Sequence, residues 1–65
     1  MGRTFDRELE RLLRDAGWAF LRPAKGSHAI WHDPRTGRRV TVPEGIVSRH
    51  TANEVLKQAG LRKAF

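Results

Sequence analysis

A chain of 65 residues has room for one small domain, in which only about 60% of the unfolded chain's surface is removed from water, so no deep pocket around a large cofactor is expected. It has no cysteine, which removes disulfides and thiolate metal ligands, and no apolar run approaches the roughly 20 residues of a membrane span. The net charge of +6 is uneven, and the unevenness points to a polyanion as partner, nucleic acid ahead of a membrane surface.

Over residues 1–16 the charges balance, with Arg3, Arg7, Arg11 and Arg14 against Asp6, Glu8, Glu10 and Asp15. Between residues 22 and 39, Arg22, Lys25, Arg35, Arg38 and Arg39 face only Asp33, and residues 44–65 add a further +2. The amino terminus contains no secretory hydrophobic region, so a cytoplasmic location is expected.

Phe5, Leu9, Leu12, Leu13 and Ala16 form one apolar stripe at helical spacing, predicting a first helix over 5–16. Thr4 or Asp6 can cap its start, and Gly17 can end it in the left-handed conformation. Its outer face alternates in sign and reads as a packing element. From Trp18 to Arg22 the pattern alternates as a strand does, with Trp18 and Phe20 on one face and Ala19 and Leu21 on the other, until Pro23 limits pairing. A loop over 23–26 leads to a second strand, 27–32. Asp33-Pro34-Arg35-Thr36-Gly37 then predicts a type I turn with a bulge, and residues 38–42 form an antiparallel third strand stopped by Pro43.

After a loop over 44–50, Thr51-Ala52-Asn53-Glu54 matches a capping box, predicting that a second helix starts there. Ala52, Val55, Leu56 and Ala59 are its apolar stripe, and Gly60 ends it. The segment 12–18 is echoed by 55–61, which reads as a repeated way of ending a helix, a hydrophobic residue after the glycine packing back on the last turn. The expected architecture is α+β, in the order α-β-β-β-α, with two helices on one face of a three-stranded antiparallel sheet and the other face free for a ligand. That layout is found in double-stranded RNA-binding domains.

The chemistry centres on Gly26-Ser27-His28 at the mouth of the second strand. A histidine there, in so cationic a setting, suits an RNA substrate. His28 and His32 are four apart, which on a strand separates their α-carbons by roughly 13 Å at about 3.3 Å per residue. They are unsuited to sharing one metal ion or to acting as base and acid on one phosphate. No zinc-protease motif is present, and no metal site is expected. His32 beside the turn reads as a surface residue and His50 as a loop residue. Trp18, Trp31 and Phe20 read as core rather than as stacking platforms, because so small a domain needs their apolar area. From composition alone His28 would be an ordinary strand-edge histidine.

The ensemble of motifs changes that. Leu9-x-x-Leu12-Leu13-x-x-x-Gly17-Trp18, Arg22 before the loop, Gly26-Ser27-His28-x-x-Trp31, Val42-Pro43 and Leu56-Lys57-Gln58-Ala59-Gly60-Leu61, in this order and length, resemble the HicA family of toxins, small ribonucleases of toxin-antitoxin systems. The resemblance covers nearly the whole chain and implies a single domain over 1–65, a fold like the double-stranded RNA-binding domain, a metal-independent endoribonuclease (mRNA interferase) with His28 catalytic, no cofactor, and a HicB-type antitoxin as partner.

The mechanism expected on this basis is attack of a ribose 2′-hydroxyl on the neighbouring phosphorus, with His28 exchanging the proton as general acid or base. Lys25, Arg22 and the amides around Gly26 and Ser27 would hold the phosphate, with Ser27 positioning rather than attacking, since no histidine-acid relay stands beside it. Arg35, Arg38 and Arg39 flank the hairpin as RNA-backbone candidates. Lys25, His50 and water are the candidates for the second proton transfer. A non-catalytic RNA-binding module of the same fold explains the charge equally well; a pure protein-interaction subunit leaves the central arginines unexplained.

Overall fold

Leu9 and Leu13, one helical turn apart, are wholly buried, and around them α1 forms over Asp6–Asp15. The structure is a computed structural model and describes residues 4–65; the part of the amino-terminal reading that falls on Met1, Gly2 and Arg3 lies outside the described residues. The strands are β1 (Ala19–Ala24), β2 (His28–His32) and β3 (Arg39–Pro43), and α2 spans Arg49–Gln58. The strands pair antiparallel in the order β1-β2-β3, so β2 is central and both outer strands carry a proline, Pro23 and Pro43. This is the expected α-β-β-β-α architecture.

Cross-strand register fixes which side chains share a face, because directly paired residues point the same way. Trp31 pairs with Val40 and Ala29 with Val42, and these four are buried in one core with Leu9, Leu13, Trp18, Ile46, Ala52, Val55, Leu56 and Ala59. Both helices therefore cover that face. His28, Ile30 and His32 point to the opposite, open face, as alternation along a strand requires.

β1 runs further than its sequence suggests. Pro23 pairs with Ala29 and Ala24 with His28, which a proline tolerates because β1 is an outer strand. A register shift between Phe20 and Arg22 leaves Leu21 as a bulge and resets the alternation. Phe20 stays on the helix side opposite Trp31, while Arg22 lands on the open face opposite Ile30. Phe20 is 52% exposed, unlike the 2% of Trp31, and makes an edge contact with it at 6.2 Å, so it rims the core that it was expected to fill.

The helix ends behave as a pair. After α1 the Gly17 amide donates to Arg14 and the Trp18 amide to Leu13; after α2 the Gly60 amide donates to Lys57 and the Leu61 amide to Leu56. This is the same double-bonded stop twice, with Gly17 at φ +92° and Gly60 at φ +76°. The helix starts differ from expectation. Among the described residues no side chain caps α1: Asp6 instead accepts from the amides of Gly45 (2.7 Å) and Ile46 (2.8 Å), tying α1 to the loop before α2. No capping box forms at Thr51 either, because α2 begins two residues earlier, after Ser48 in extended conformation. The tail docks: the Asn53 carboxamide accepts from the amides of Ala64 and Phe65 and donates to the Phe65 carbonyl, and the Phe5 and Phe65 rings meet edge on at 5.0 Å.

Candidate active site

The β1–β2 connection narrows to Lys25-Gly26-Ser27, all exposed, and delivers His28 as the first residue of β2. Gly26 lies at φ +69°, a conformation that L side chains rarely adopt, and a β-carbon there would meet His28 Nδ1 at 3.9 Å. The loop is anchored at its last residue, where the Ser27 carbonyl accepts from the Glu44 amide at 2.7 Å. His28 itself is exposed, flanked in register by Ala24 and Pro43, and no hydrogen bond from the described residues engages its ring. Both ring nitrogens are thus open to a ligand.

Register places the neighbours. Arg22 lies beside Ile30 and Arg39 beside His32, so two of the five expected RNA-contacting cations share the open face with His28, and Lys25 stands in the loop at its edge. Arg22 makes one long contact, 3.5 Å to the Pro23 carbonyl. Arg35 and Arg38 go elsewhere. Arg35 Nη2 donates to the Ala16 carbonyl at 3.3 Å and Arg38 Nη2 to the Gln58 carbonyl at 2.8 Å, so each guanidinium of the hairpin satisfies a free carbonyl at the end of one helix.

Asp33 is buried in the same turn and accepts from the Arg35 amide at 3.0 Å and from Nε at 3.3 Å. The Arg35 side-chain hydrogen bond, ahead of its amide and its charge and against the effect of burial, holds the Asp33 carboxyl below the ordinary carboxylate range.

His32 lies half-buried on the open face at the far end of β2, and His50 is exposed in the first turn of α2 rather than in a loop. Pro43, the register partner of His28, shares a cleft with His50 at the β3 edge. Among the described residues no three histidine or carboxylate side chains converge so that they could hold a metal ion. Also among those residues, no helix is long and apolar enough to cross a membrane.

The family model of the HicA toxin of bacterial toxin-antitoxin systems matches residues 7–61. The chain belongs to the HicA family. The match takes in all three strands, all of α2 and α1 apart from its first residue, and His28 with its loop lies inside it. No curated protein and no solved structure matches the chain. A HicA toxin is thus a toxin of a toxin-antitoxin system, here with an exposed histidine, His28, at the start of the central strand on the open sheet face.

Sequence reasoning missed three features of this HicA chain. The bulge that turns Arg22 onto the open face has no composition signature. The Asp6 link spans 39 residues, beyond any local pattern. Arg14 lies over the Trp31 ring at 5.3 Å, a pairing that helical spacing alone does not reveal.

Proposed function

We propose that this toxin is a metal-independent endoribonuclease, an mRNA interferase of the cytoplasm, with His28 as its general acid-base, and that a HicB-type antitoxin holds it in check. The 65 residues act as a single RNA-cleaving domain. The observation that carries the reading is the placement of His28: exposed, unbonded, on the open sheet face beside an exposed lysine-glycine-serine loop, in a chain of the HicA family.

The chemistry follows from those groups. His28 takes the proton of a ribose 2′-hydroxyl as its oxygen bonds to phosphorus, the bond from phosphorus to the 5′-oxygen breaks, and that oxygen gains a proton as it leaves. The products are a 2′,3′-cyclic phosphate and a 5′-hydroxyl. Neither a metal nor a protein nucleophile enters the balance. Lys25, Arg22 and the Gly26 and Ser27 amides hold the phosphate and offset the charge that develops on it, while Arg39 binds the backbone beyond. Arg35 and Arg38 contribute to RNA binding through their exposed surfaces while holding the helix ends. Lys25 in the loop and His50, which shares a cleft with Pro43, are the side chains to serve the leaving oxygen if water does not.

The test is cleavage of single-stranded RNA by the pure protein in excess chelator. Wild type is expected to cut, and His28→Ala to lose about 10²- to 10⁴-fold in rate, the usual worth of general acid-base help, with unchanged thermal stability and RNA affinity. Full activity in His28→Ala would end the histidine mechanism. Binding without any cleavage by wild type would favour the non-catalytic module instead.

A further inference from the structure

The cations of this protein divide by whether its own carboxylates neutralise them. On α1, Arg11 pairs with Glu8 and Asp15, and Arg14 with Glu10; in the hairpin, Arg35 pairs with Asp33. Arg49, Lys57 and Lys63 make no salt bridge among the described residues. These three line a groove of about 650 Å³ between α2 and the carboxy-terminal tail, together with His50, one carboxylate side chain, Glu54, and the last residue, Phe65. The Asn53 carboxamide clamps the tail backbone at Ala64 and Phe65, which holds the tail, and Lys63 with it, against α2.

The groove is not isolated from His28. His50 and Glu54 also line the cleft at the β3 edge that contains Pro43, and Pro43 is the register partner of His28. The surface thus leads from Pro43, beside His28 in the sheet, over His50 into a trough in which three permanent positive charges outnumber one carboxylate side chain. A trough in which cations outnumber carboxylate side chains suits a chain of phosphates.

We propose that the α2–tail groove is a second RNA-binding site, which takes the phosphates of single-stranded RNA flanking the nucleotide at His28. This rests on the ribonuclease reading and extends it from the cleaved phosphate to the flanking strand. The groove adds affinity and reach for longer RNA, and the chemistry at His28 does not depend on it.

The test compares the protein carrying Arg49→Gln, Lys57→Gln and Lys63→Gln with the unaltered groove on two RNAs, one of about 4 nucleotides and one of about 20. Binding is measured in a His28→Ala background so that the RNA is not cut, and cleavage with His28 intact. On the long RNA the triple variant is expected to bind about tenfold or more weakly at low salt, and its log–log salt slope to flatten by about 2, the release of three contacts at roughly 0.7 each on a single strand. On the short RNA, binding and cleavage are expected to be unchanged. Equal affinity and slope on the long RNA would overturn the proposal, as would an equal loss on both lengths or a defect confined to capture of an acidic antitoxin. Thermal unfolding of the triple variant separates a folding defect from lost contacts, and the single Lys63→Gln, outside both helices, must move long-RNA binding in the same direction. Failure of the short RNA to be cut by wild type would count against the ribonuclease reading, whereas cleavage without a length effect counts only against the groove.

Discussion

Asp33 is a buried residue, 6% exposed, and hydrogen bonds chiefly from Arg35 hold its carboxyl ionised below the ordinary carboxylate range. A carboxyl whose folded value is depressed stabilises the fold above its unfolded value, near 4, and loses that contribution as pH falls through the folded value. Asp33→Asn is therefore expected to melt below wild type at pH 7, with the gap closing as the pH is lowered from about 4. A gap that stayed constant in thermal melts across that range would show that the charge of Asp33 is not what stabilises the turn. The Asp-Pro-x-x-Gly pattern made this turn legible in the sequence, and the Gly37 amide donating to the Asp33 carbonyl at 2.8 Å fits it. Asp6 was illegible for the opposite reason. An aspartate one residue into a helix satisfies every local rule for a cap, and only folding brings it within reach of the amides of Gly45 and Ile46.

The two helices share one mode of termination, a glycine stop with a guanidinium laid over it. A β-carbon at Gly17 would meet the Arg35 guanidinium at 3.5 Å, and one at Gly60 would meet Arg38 Nη1 at 3.4 Å, both at ordinary contact distance or its tight edge. The cost of an alanine there thus lies chiefly in the backbone, about 1–2 kcal/mol for a residue held at positive φ. Gly60→Ala is expected to lower unfolding stability in urea by that amount, and Gly60→Asn by less, since asparagine tolerates the conformation. Equal losses for both would shift the cause to contact with Arg38. The carboxy-terminal ends of the helices were readable because glycine followed by a hydrophobic residue is a chemical requirement of the stop. The amino-terminal end of α2 was not, because its first turn, Arg49 to Thr51, is polar and exposed and carries no apolar residue to announce it. For the strands, alternation located all three; the bulge at Leu21 and the continuation through Pro23 depend on β1 being an outer strand, which is a property of the sheet.

At the scale of the whole molecule, Leu9, Leu13 and Leu56 are the largest wholly buried side chains, and no disulfide supplements the core they anchor. Leu56→Ala is expected to cost about 2–5 kcal/mol, a large part of the roughly 3–10 kcal/mol typical of a domain this size. Far-UV circular dichroism at 37 °C should show a substantially unfolded variant; a sharp native-like transition at the wild-type temperature would mean that the core repacks around the loss. The layer arrangement was legible because every element has one apolar face, and the position of His28 at the mouth of β2 was legible because glycine and serine precede it directly in the chain. The division of the arginines was not: Arg35, Arg38 and Arg39 are neighbours in the chain, yet the turn sends two to helix ends and one to the open face. The prolines of the outer strands bear on how this molecule meets copies of itself. Pro23 and Pro43 sit on opposite borders of the sheet, beside Ala29 and His28 of β2, and neither has an N–H to donate. At that end of the sheet neither border presents an unbroken row of donors to an incoming strand, so concentrated protein is disfavoured from growing edge to edge into filaments there, and His28, on the central strand, lies between two borders that template no further chain.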